Sequence, residues 1–204
     1  KALKQYGNDA TAVLAIPRGG VPVAAKVADE LGAVLDVVVT RKVAIPGNPE
    51  AGYGAVTEDG VVVLNEPLVD RLGLTQAQIE KQAEEVRSEI GRRAAVFRSR
   101  LPSTSIEGKT AIVIDDGLAS GFTMMAAIES VQRRQAARIV AAVPVASGSA
   151  YDLIKPAADE LVALVVARTE WFAVASFYQH WHDLADGEGT GYLDWWVKRR
   201  RAAE

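Results

Sequence analysis

The sequence predicts an α/β fold, in which a parallel, twisted sheet is flanked by helices. Short apolar runs rich in valine and isoleucine alternate along the chain with segments that have the period of an amphipathic helix. These runs lack the alternation of a half-exposed strand, which indicates strands buried on both faces, as in a parallel sheet covered by helices. The chain has 204 residues and no clear linker, so we predict one domain with its core at about residues 10–168.

Five apolar runs predict the strands of this sheet, and they are Ala12–Ile16, Val34–Thr40, Thr110–Ile114, Arg138–Val145 and Leu161–Ala167. A further run at Val61–Leu64 predicts one arm of a hairpin. Its other arm is Gly54–Thr57, because Asp59-Gly60 between them is a typical turn dipeptide.

The segments between these runs predict helices. Thr75 and Gln78 have the spacing of a capping box, which predicts the start of a long polar helix that extends to about Leu101. The other predicted helices are Val21–Leu31, Thr123–Arg134 and a short helix from Ser149.

Two segments do not fit the alternation of strand and helix. Residues 41–60 are rich in proline and glycine and have little regular pattern, which is typical of a functional loop, so we predict a flexible lid there. Residues 169–204 hold all four tryptophans and both histidines. We predict that they form a small aromatic hood on the sheet.

The composition excludes several kinds of site. There is no cysteine, which removes disulfides, thiol nucleophiles and iron–sulfur clusters, and two histidines, His180 and His182, make a poor zinc site. The formal charge of −3 gives no support for a nucleic-acid partner. The apolar runs are shorter than the ~20 residues of a spanning helix, and residues 1–10 lack a signal-peptide core. We expect a cytoplasmic protein without a membrane partner, whose start at Lys1 suggests a missing upstream piece.

Basic residues are concentrated in two stretches. One lies on the long polar helix, where arginines are interleaved with glutamates, and it comprises Arg87, Arg92, Arg93, Arg98 and Arg100. We interpret it as a solvated helix face. The other, residues 198–201, closes the chain, where cations suit a helix C-terminus.

The segment 111–123, AIVIDDGLASGFT, carries the clearest chemical signal. Its apolar start predicts a buried strand. The carboxylates of Asp115 and Asp116 follow at the strand end, where open α/β sheets bind ligands. A small-residue loop, 117–121, then leads into a helix whose first N–H groups can bind a phosphate. This combination suits a ribose phosphate, whose vicinal hydroxyls can donate to the two acids beside Mg²⁺.

Other interpretations of these residues are less consistent with the whole pattern. Asp115 and Asp116 could instead be an acidic strand end that caps the next helix. No lysine follows Gly121 or Gly52, as a P-loop requires, and Thr57 stands where a dinucleotide fingerprint needs its third glycine. The full pattern favours the phosphate site.

The segment 111–123 resembles the diphosphoribose-binding signature of the type I phosphoribosyltransferases, and the element order resembles that family over residues 12–174. Residues 16–20, IPRGG, look like its diphosphate loop, and Thr40-Arg41-Lys42 opens the segment that corresponds to its lid. The run from Arg41 to PGNPE at 46–50 is similar to a subgroup of predicted phosphoribosyltransferases with an unassigned acceptor.

The resemblance implies a Mg²⁺-dependent enzyme of nucleotide salvage. It would use 5-phospho-α-D-ribosyl 1-diphosphate, release diphosphate, and transfer the ribosyl group to a nucleobase or similar small acceptor. The implied residues are Arg18, Arg41, Lys42, Asp115 and Asp116 for catalysis, the two aspartates also as metal ligands, and Gly19, Gly20, Gly117, Leu118, Ala119, Ser120, Gly121, Phe122 and Thr123 for donor binding. Taken singly, Arg18-Gly19-Gly20 also fits a tight turn, and Arg41-Lys42 a solvated strand end.

The sequence departs from the family pattern at several positions. Ala119 stands where members specific for 6-oxopurines have an aspartate, so hypoxanthine and guanine are not predicted acceptors. Ser120 replaces the usual threonine and keeps its hydroxyl, and Phe122 is bulky for a phosphate loop. The base-stacking aromatic of the family corresponds to Trp171 or Phe172, although an aromatic there is equally typical of a core.

Two other functions stay open at this level. One is a non-catalytic sensor that binds the diphosphoribosyl ligand, since no general base can be named. The other is hydrolysis of a phosphoribosyl compound by water. The resemblance also implies a homodimer and small-molecule substrates as partners.

Overall fold

A computed structural model describes residues 1–8, 10–101 and 103–203 of the chain. The side chains of Pro49 and Glu50, which belong to the PGNPE run, lie outside the described part.

The described residues form eight strands and six α-helices. The strands are β1 (Thr11–Ala15), β2 (Val34–Val37), β3 (Thr40–Ile45), β4 (Asn48–Thr57), β5 (Val62–Leu64), β6 (Thr110–Ile114), β7 (Arg138–Ser147) and β8 (Glu160–Ala167). The helices are α1 (Gly20–Leu31), α2 (Glu66–Leu72), α3 (Gln76–Arg98), α4 (Phe122–Arg133), α5 (Gly148–Ile154) and α6 (Asp186–Ala203). None of these helices is long and apolar enough to cross a membrane.

Five strands form a parallel sheet in the order β2-β1-β6-β7-β8, which confirms the predicted fold class. Neighbouring residues of β1 face opposite sides of this sheet. Val13 packs in one apolar cluster with Ala28 of α1, and Leu14 packs in the other with Ile128 of α4. Both β1 residues are fully buried, because helices cover the two faces.

The predicted strand Val34–Thr40 is divided in the structure. Pairing with β1 ends at Val37, and Thr40 begins β3, which belongs to a separate antiparallel sheet of β3, β4 and β5. The predicted pairing of Gly54–Thr57 with Val61–Leu64 is confirmed by the pairs between β4 and β5. The expectation of little regular structure in the earlier part of residues 41–60 was wrong, because β3 and β4 pair there as a hairpin. Val43 and Tyr53 are buried in the main apolar cluster, so this hairpin is anchored in the core. That it moves as a lid stays a prediction.

The hood contains a long helix, α6, and the basic residues 198–201 lie near its C-terminus, as expected from the sequence. Leu193 and Trp196 of α6 are buried in the same cluster as Ala24 of α1. A short 3-10 helix at Val174–Phe177 precedes it. The capping box is confirmed at the start of α3, where Thr75 and Gln78 exchange side-chain and main-chain hydrogen bonds.

A buried carboxylate ties the second sheet to the first. Asp36 of β2 is fully buried, and it accepts hydrogen bonds from Arg98 at the end of α3, from Arg134 at 2.9 Å and from the Thr104 main chain at 3.1 Å. Arg98 also donates to Glu58, beyond the end of β4. This network joins β2, α3, the end of α4 and the β4–β5 hairpin.

Replacing Asp36 by alanine is expected to lower the free energy of unfolding by roughly 3–5 kcal/mol, because two half-buried guanidinium groups would lose their shared partner. Urea unfolding measures this change. The matched control is Asp152→Ala, which removes an exposed partner of Arg168 and should leave the urea midpoint nearly unchanged. Equal effects of the two substitutions would show that the Asp36 network does not stabilise the fold.

Candidate functional site

The candidate site lies at the carboxyl ends of the neighbouring strands β1 and β6. Asp115 and Asp116 follow β6 directly, and the turn at 17–20 follows β1. Since the two strands are adjacent and parallel, their following loops meet at one edge of the sheet.

Two glycines allow the β1–α1 turn to lie directly against the two aspartates. A Cβ atom on Gly19 would overlap the carboxylate of Asp116, and one on Gly20 would lie 2.6 Å from the Ile114 carbonyl oxygen. The Pro17–Arg18 peptide bond in this turn is cis. The structure thus brings Arg18, Gly19, Asp115 and Asp116 together.

The two aspartates form a half-buried acidic pair. Oδ1 of Asp115 accepts a hydrogen bond of 2.9 Å from the Asp116 main chain. Burial raises the pKa of Asp115 well above its usual value, and the neighbouring charge of Asp116 adds to this. Burial also raises the pKa of Asp116, against hydrogen bonds that favour its ionised form. Neither carboxylate forms an ion pair within the described residues, so the pair suits a cation or hydroxyl donors.

The small-residue loop between β6 and α4 is held by β7. The Leu118 main chain donates to the Val145 carbonyl at 2.9 Å, and the Ser147 hydroxyl donates to the Ala119 carbonyl at 2.8 Å. Gly121 has a φ of +86°, which favours glycine, and no side chain caps the first turn of α4. The loop and the first turn of α4 line a cavity of about 430 Å³, together with Asp115. Main-chain N–H groups at a helix start suit a phosphate.

The Phe122 side chain does not obstruct this loop. It packs against the small apolar cluster of Ala55, Val61 and Ala126, on the second sheet and α4. The main chain of Phe122 thus begins α4, while its ring lies away from this cavity.

A second cavity, of about 680 Å³, adjoins the first and is basic. The predicted residues Arg18, Arg41 and Lys42 all line it, together with Asp116. Nε of Arg41 lies 2.8 Å from a carboxylate oxygen of Glu89. The two cavities lie side by side, since both are bordered by Lys42, Asp116, Thr123 and Trp181.

Arg93 of α3 also lines the basic cavity, and the interpretation of this residue as part of a solvated face was wrong. Its side chain is 18% exposed, and its Nε lies 3.3 Å from Oδ1 of Asp186. The helical period could have identified it, since Arg93 is three residues after Ile90 and four before Phe97, both buried.

Aromatic residues of the hood, Tyr178, Trp181 and Tyr192, line the larger cavity. The Tyr178 hydroxyl donates a hydrogen bond of 2.7 Å to the Asp116 carbonyl. Burial raises the pKa of Tyr178 to about 12, with a contribution from the charges of Asp116 and Asp115. The Trp181 ring lies edge-on to Tyr178 with centroids 5.0 Å apart, and it borders both cavities.

The structure does not bring Trp171 and Phe172 to these cavities. Trp171 is 87% exposed. Phe172 stacks on Phe177 at 5.6 Å and lines a separate cavity of about 350 Å³ beside Arg168. Trp181 was missed because nothing in its local pattern distinguishes it from the other aromatic residues of the hood.

Within the described residues, no group of three or more histidine, aspartate or glutamate side chains could hold a metal ion. The Asp115–Asp116 pair offers carboxylate oxygens alone. This donor set fits Mg²⁺, which is commonly bound by one or two carboxylates, water molecules and phosphate oxygens of a ligand.

Comparison with known proteins places these features in a family. The model of the phosphoribosyl transferase domain matches residues 1–176. Two proteins from strains of Mycobacterium tuberculosis, each named "Putative phosphoribosyl transferase", are 38% identical over 192 residues. The match covers 94% of this chain but 43% of each relative, so this chain spans less than half of their length.

A solved structure has the same fold over nearly the whole chain. The crystal structure of TT1426 from Thermus thermophilus is 39% identical, has a TM-score of 0.77, and is matched over 96% of this chain and 92% of that one. The family match covers most of the chain, including both loops of the site. This chain therefore belongs to the phosphoribosyl transferase domain family.

Proposed function

We propose that this chain is a Mg²⁺-dependent phosphoribosyltransferase that uses 5-phosphoribosyl 1-diphosphate, releases diphosphate, and acts on a nucleobase or similar small acceptor. The observation that carries this proposal is the position of the Asp115–Asp116 pair. It lies between the small-residue loop at the start of α4 and a cavity lined by Arg18, Arg41 and Lys42. A ligand with a phosphate, a sugar diol and a diphosphate matches this order of groups.

The donor's 5′-phosphate would bind the main-chain N–H groups of residues 119–123 and the Ser120 and Thr123 hydroxyls. Of these residues, Ala119, Ser120, Gly121 and Thr123 line the smaller cavity, and α4 adds the positive end of its dipole. The ribose hydroxyls would donate to Asp115 and Asp116, which have no competing ion pair among the described residues.

The diphosphate would bind in the basic cavity. The Gly19 main chain lies beside Asp116 and lines this space with Arg18, Arg41 and Lys42, while Gly20 lies beside Asp115. Mg²⁺, held by Asp115 or Asp116 and by donor oxygens, would neutralise part of the diphosphate charge. Its positive charge would also favour the ionised form of the two acids, whose pKa burial raises.

The chemistry proposed is a substitution at C1 of the ribose. The C1–O bond breaks and its electron pair leaves with diphosphate, while an acceptor lone pair forms the new bond to C1. The protein's part is to position both reactants, stabilise the leaving charge through its guanidinium groups, and exclude water. None of these steps requires a nucleophilic side chain, which is consistent with a chain that lacks cysteine.

The acceptor would lie between the donor and the hood. Trp181 borders both cavities and can stack on a planar ring, while His180, His182 and Asp183 line the larger cavity and supply hydrogen-bonding groups. Ala119 supplies no carboxylate at the loop, so an acceptor would be recognised mainly from the hood side.

A diphosphate-release assay tests the proposed reaction. The full chain is supplied with Mg²⁺, the donor and a panel of purine, pyrimidine and non-base acceptors, with a reaction lacking acceptor as control. We expect release that depends on an acceptor. Release without acceptor would identify a hydrolase. Donor binding without release across the panel would identify a sensor.

Replacing Asp115 by asparagine is expected to lower turnover by roughly 10²-fold, because the site loses charge that binds the metal-bound donor. The same substitution should raise the melting temperature. The pKa of Asp115 is higher in the folded state than in the unfolded state, so ionisation of Asp115 at neutral pH lowers the free energy of unfolding. This destabilisation disappears when the pH falls below the pKa that Asp115 has in the unfolded state. Exposed Asp152→Asn is the control. Full turnover in Asp115→Asn would contradict the assignment.

Replacing Trp181 by alanine is expected to raise the acceptor KM by roughly tenfold or more, because base–aromatic stacking contributes about 1–3 kcal/mol. The donor KM should change less. Trp171→Ala is the matched control, since that ring is exposed and outside both cavities. A larger effect at Trp171 than at Trp181 would instead support the base-stacking role assigned from the family resemblance.

A further inference from the structure

The first residue of α6, Asp186, pairs with two guanidinium groups that line the basic cavity. Oδ1 of Asp186 lies 3.3 Å from Nε of Arg93 and 3.7 Å from Nη1 of Arg18. Both arginines border the space assigned to diphosphate, so Asp186 and a bound diphosphate would compete for the same two guanidinium groups.

The contacts of Asp186 with these two arginines are incomplete. Its Oδ1 atom is buried, yet it accepts no hydrogen bond from any described residue. Nε of Arg93 is likewise buried without a hydrogen-bond partner in the described part of the chain. Attraction between buried charges offsets their desolvation only when hydrogen bonds accompany it. This pairing is therefore a weak substitute for a well-fitted anion.

Arg93 lies near two other guanidinium groups that line the same cavity, those of Arg18 and Arg41. Burial lowers the pKa of Arg93, the charge of Asp186 opposes this, and the nearby charges of Arg41 and Arg18 lower it further. Three guanidinium groups therefore act on one another across this space. A ligand with several negative charges, such as diphosphate, matches the cluster better than Asp186 does.

We propose that Arg93 is a third guanidinium group of the diphosphate site, and that Asp186 is an intramolecular competitor that diphosphate displaces. The inference rests on the proposed function, because it assigns the basic cavity to diphosphate. Displacement is confined to the first turn of α6, since Leu193 and Trp196 hold the rest of that helix in the core.

The test is the affinity of the full chain for inorganic diphosphate with Mg²⁺, measured by calorimetry at fixed ionic strength. Asp186→Asn should bind diphosphate roughly two- to fivefold more tightly, because a competing ion pair is removed while the shape is kept. Arg93→Gln should bind it at least about tenfold more weakly, as a charge-assisted contact is lost. When Arg93 is already replaced by glutamine, Asp186→Asn should increase the affinity for diphosphate by a smaller factor.

The matched controls are Arg100→Gln and Asp194→Asn. This pair also joins the end of α3 to α6, at 3.5 Å, but it is exposed and borders neither cavity. Both variants should keep the affinity of the unsubstituted chain.

The outcomes separate the inference from the function on which it rests. Unchanged or weaker diphosphate binding by Asp186→Asn would contradict the proposal that Asp186 competes with diphosphate. This result does not depend on whether the Arg93 variant folds. Unchanged diphosphate binding by Arg93→Gln would contradict the proposal that Arg93 belongs to the diphosphate site. If neither the unsubstituted chain nor Asp186→Asn binds diphosphate, the diphosphate site itself, and with it the proposed function, is wrong.

Discussion

The contact between Gly19 and Asp116 is the constraint on which the rest of the site depends. No side chain fits at Gly19, because the Asp116 carboxylate occupies that space, and Gly20 is pressed closely against the end of β6. The turn after β1 and the acidic pair after β6 are thereby fixed to one another. This contact places Arg18 on one side of the aspartates and the small-residue loop on the other, so a single ligand can reach all three.

Charges of both signs line the site, and the acidic pair is the part that has no ion-pair partner. The aspartates at 115 and 116 form no ion pair among the described residues, whereas Arg41 pairs with Glu89 of the same cavity and Arg93 pairs with Asp186. Burial of the acids raises their pKa, which means that the empty site reduces the stability of the fold. Such charges favour a ligand that carries both a cation and a polyanion, and Mg²⁺ diphosphate is of this kind.

The fold and half of the site could be predicted from the sequence because their signals are local. The strands β1 and β6, the acidic pair and the loop into α4 are contiguous patterns, and the parallel sheet then brings their ends together. The β3–β4 hairpin could not be predicted in this way, because it is stabilised by packing of Tyr53 and Val43 in the main apolar cluster. Trp181 could not be predicted either, because its position at the site depends on how the hood folds and not on a local sequence signal. Arg93 had a usable signal in its helical phase, which its interleaved glutamates obscured.

Direct binding of 5-phosphoribosyl 1-diphosphate to the full chain tests the central claim, that the two loops form one donor site. Calorimetry with and without Mg²⁺ should show one site per chain, tighter binding when Mg²⁺ is present, and weaker binding of ribose 5-phosphate, which lacks the diphosphate. Failure to bind the donor, or equal affinity for ribose 5-phosphate, would contradict the account.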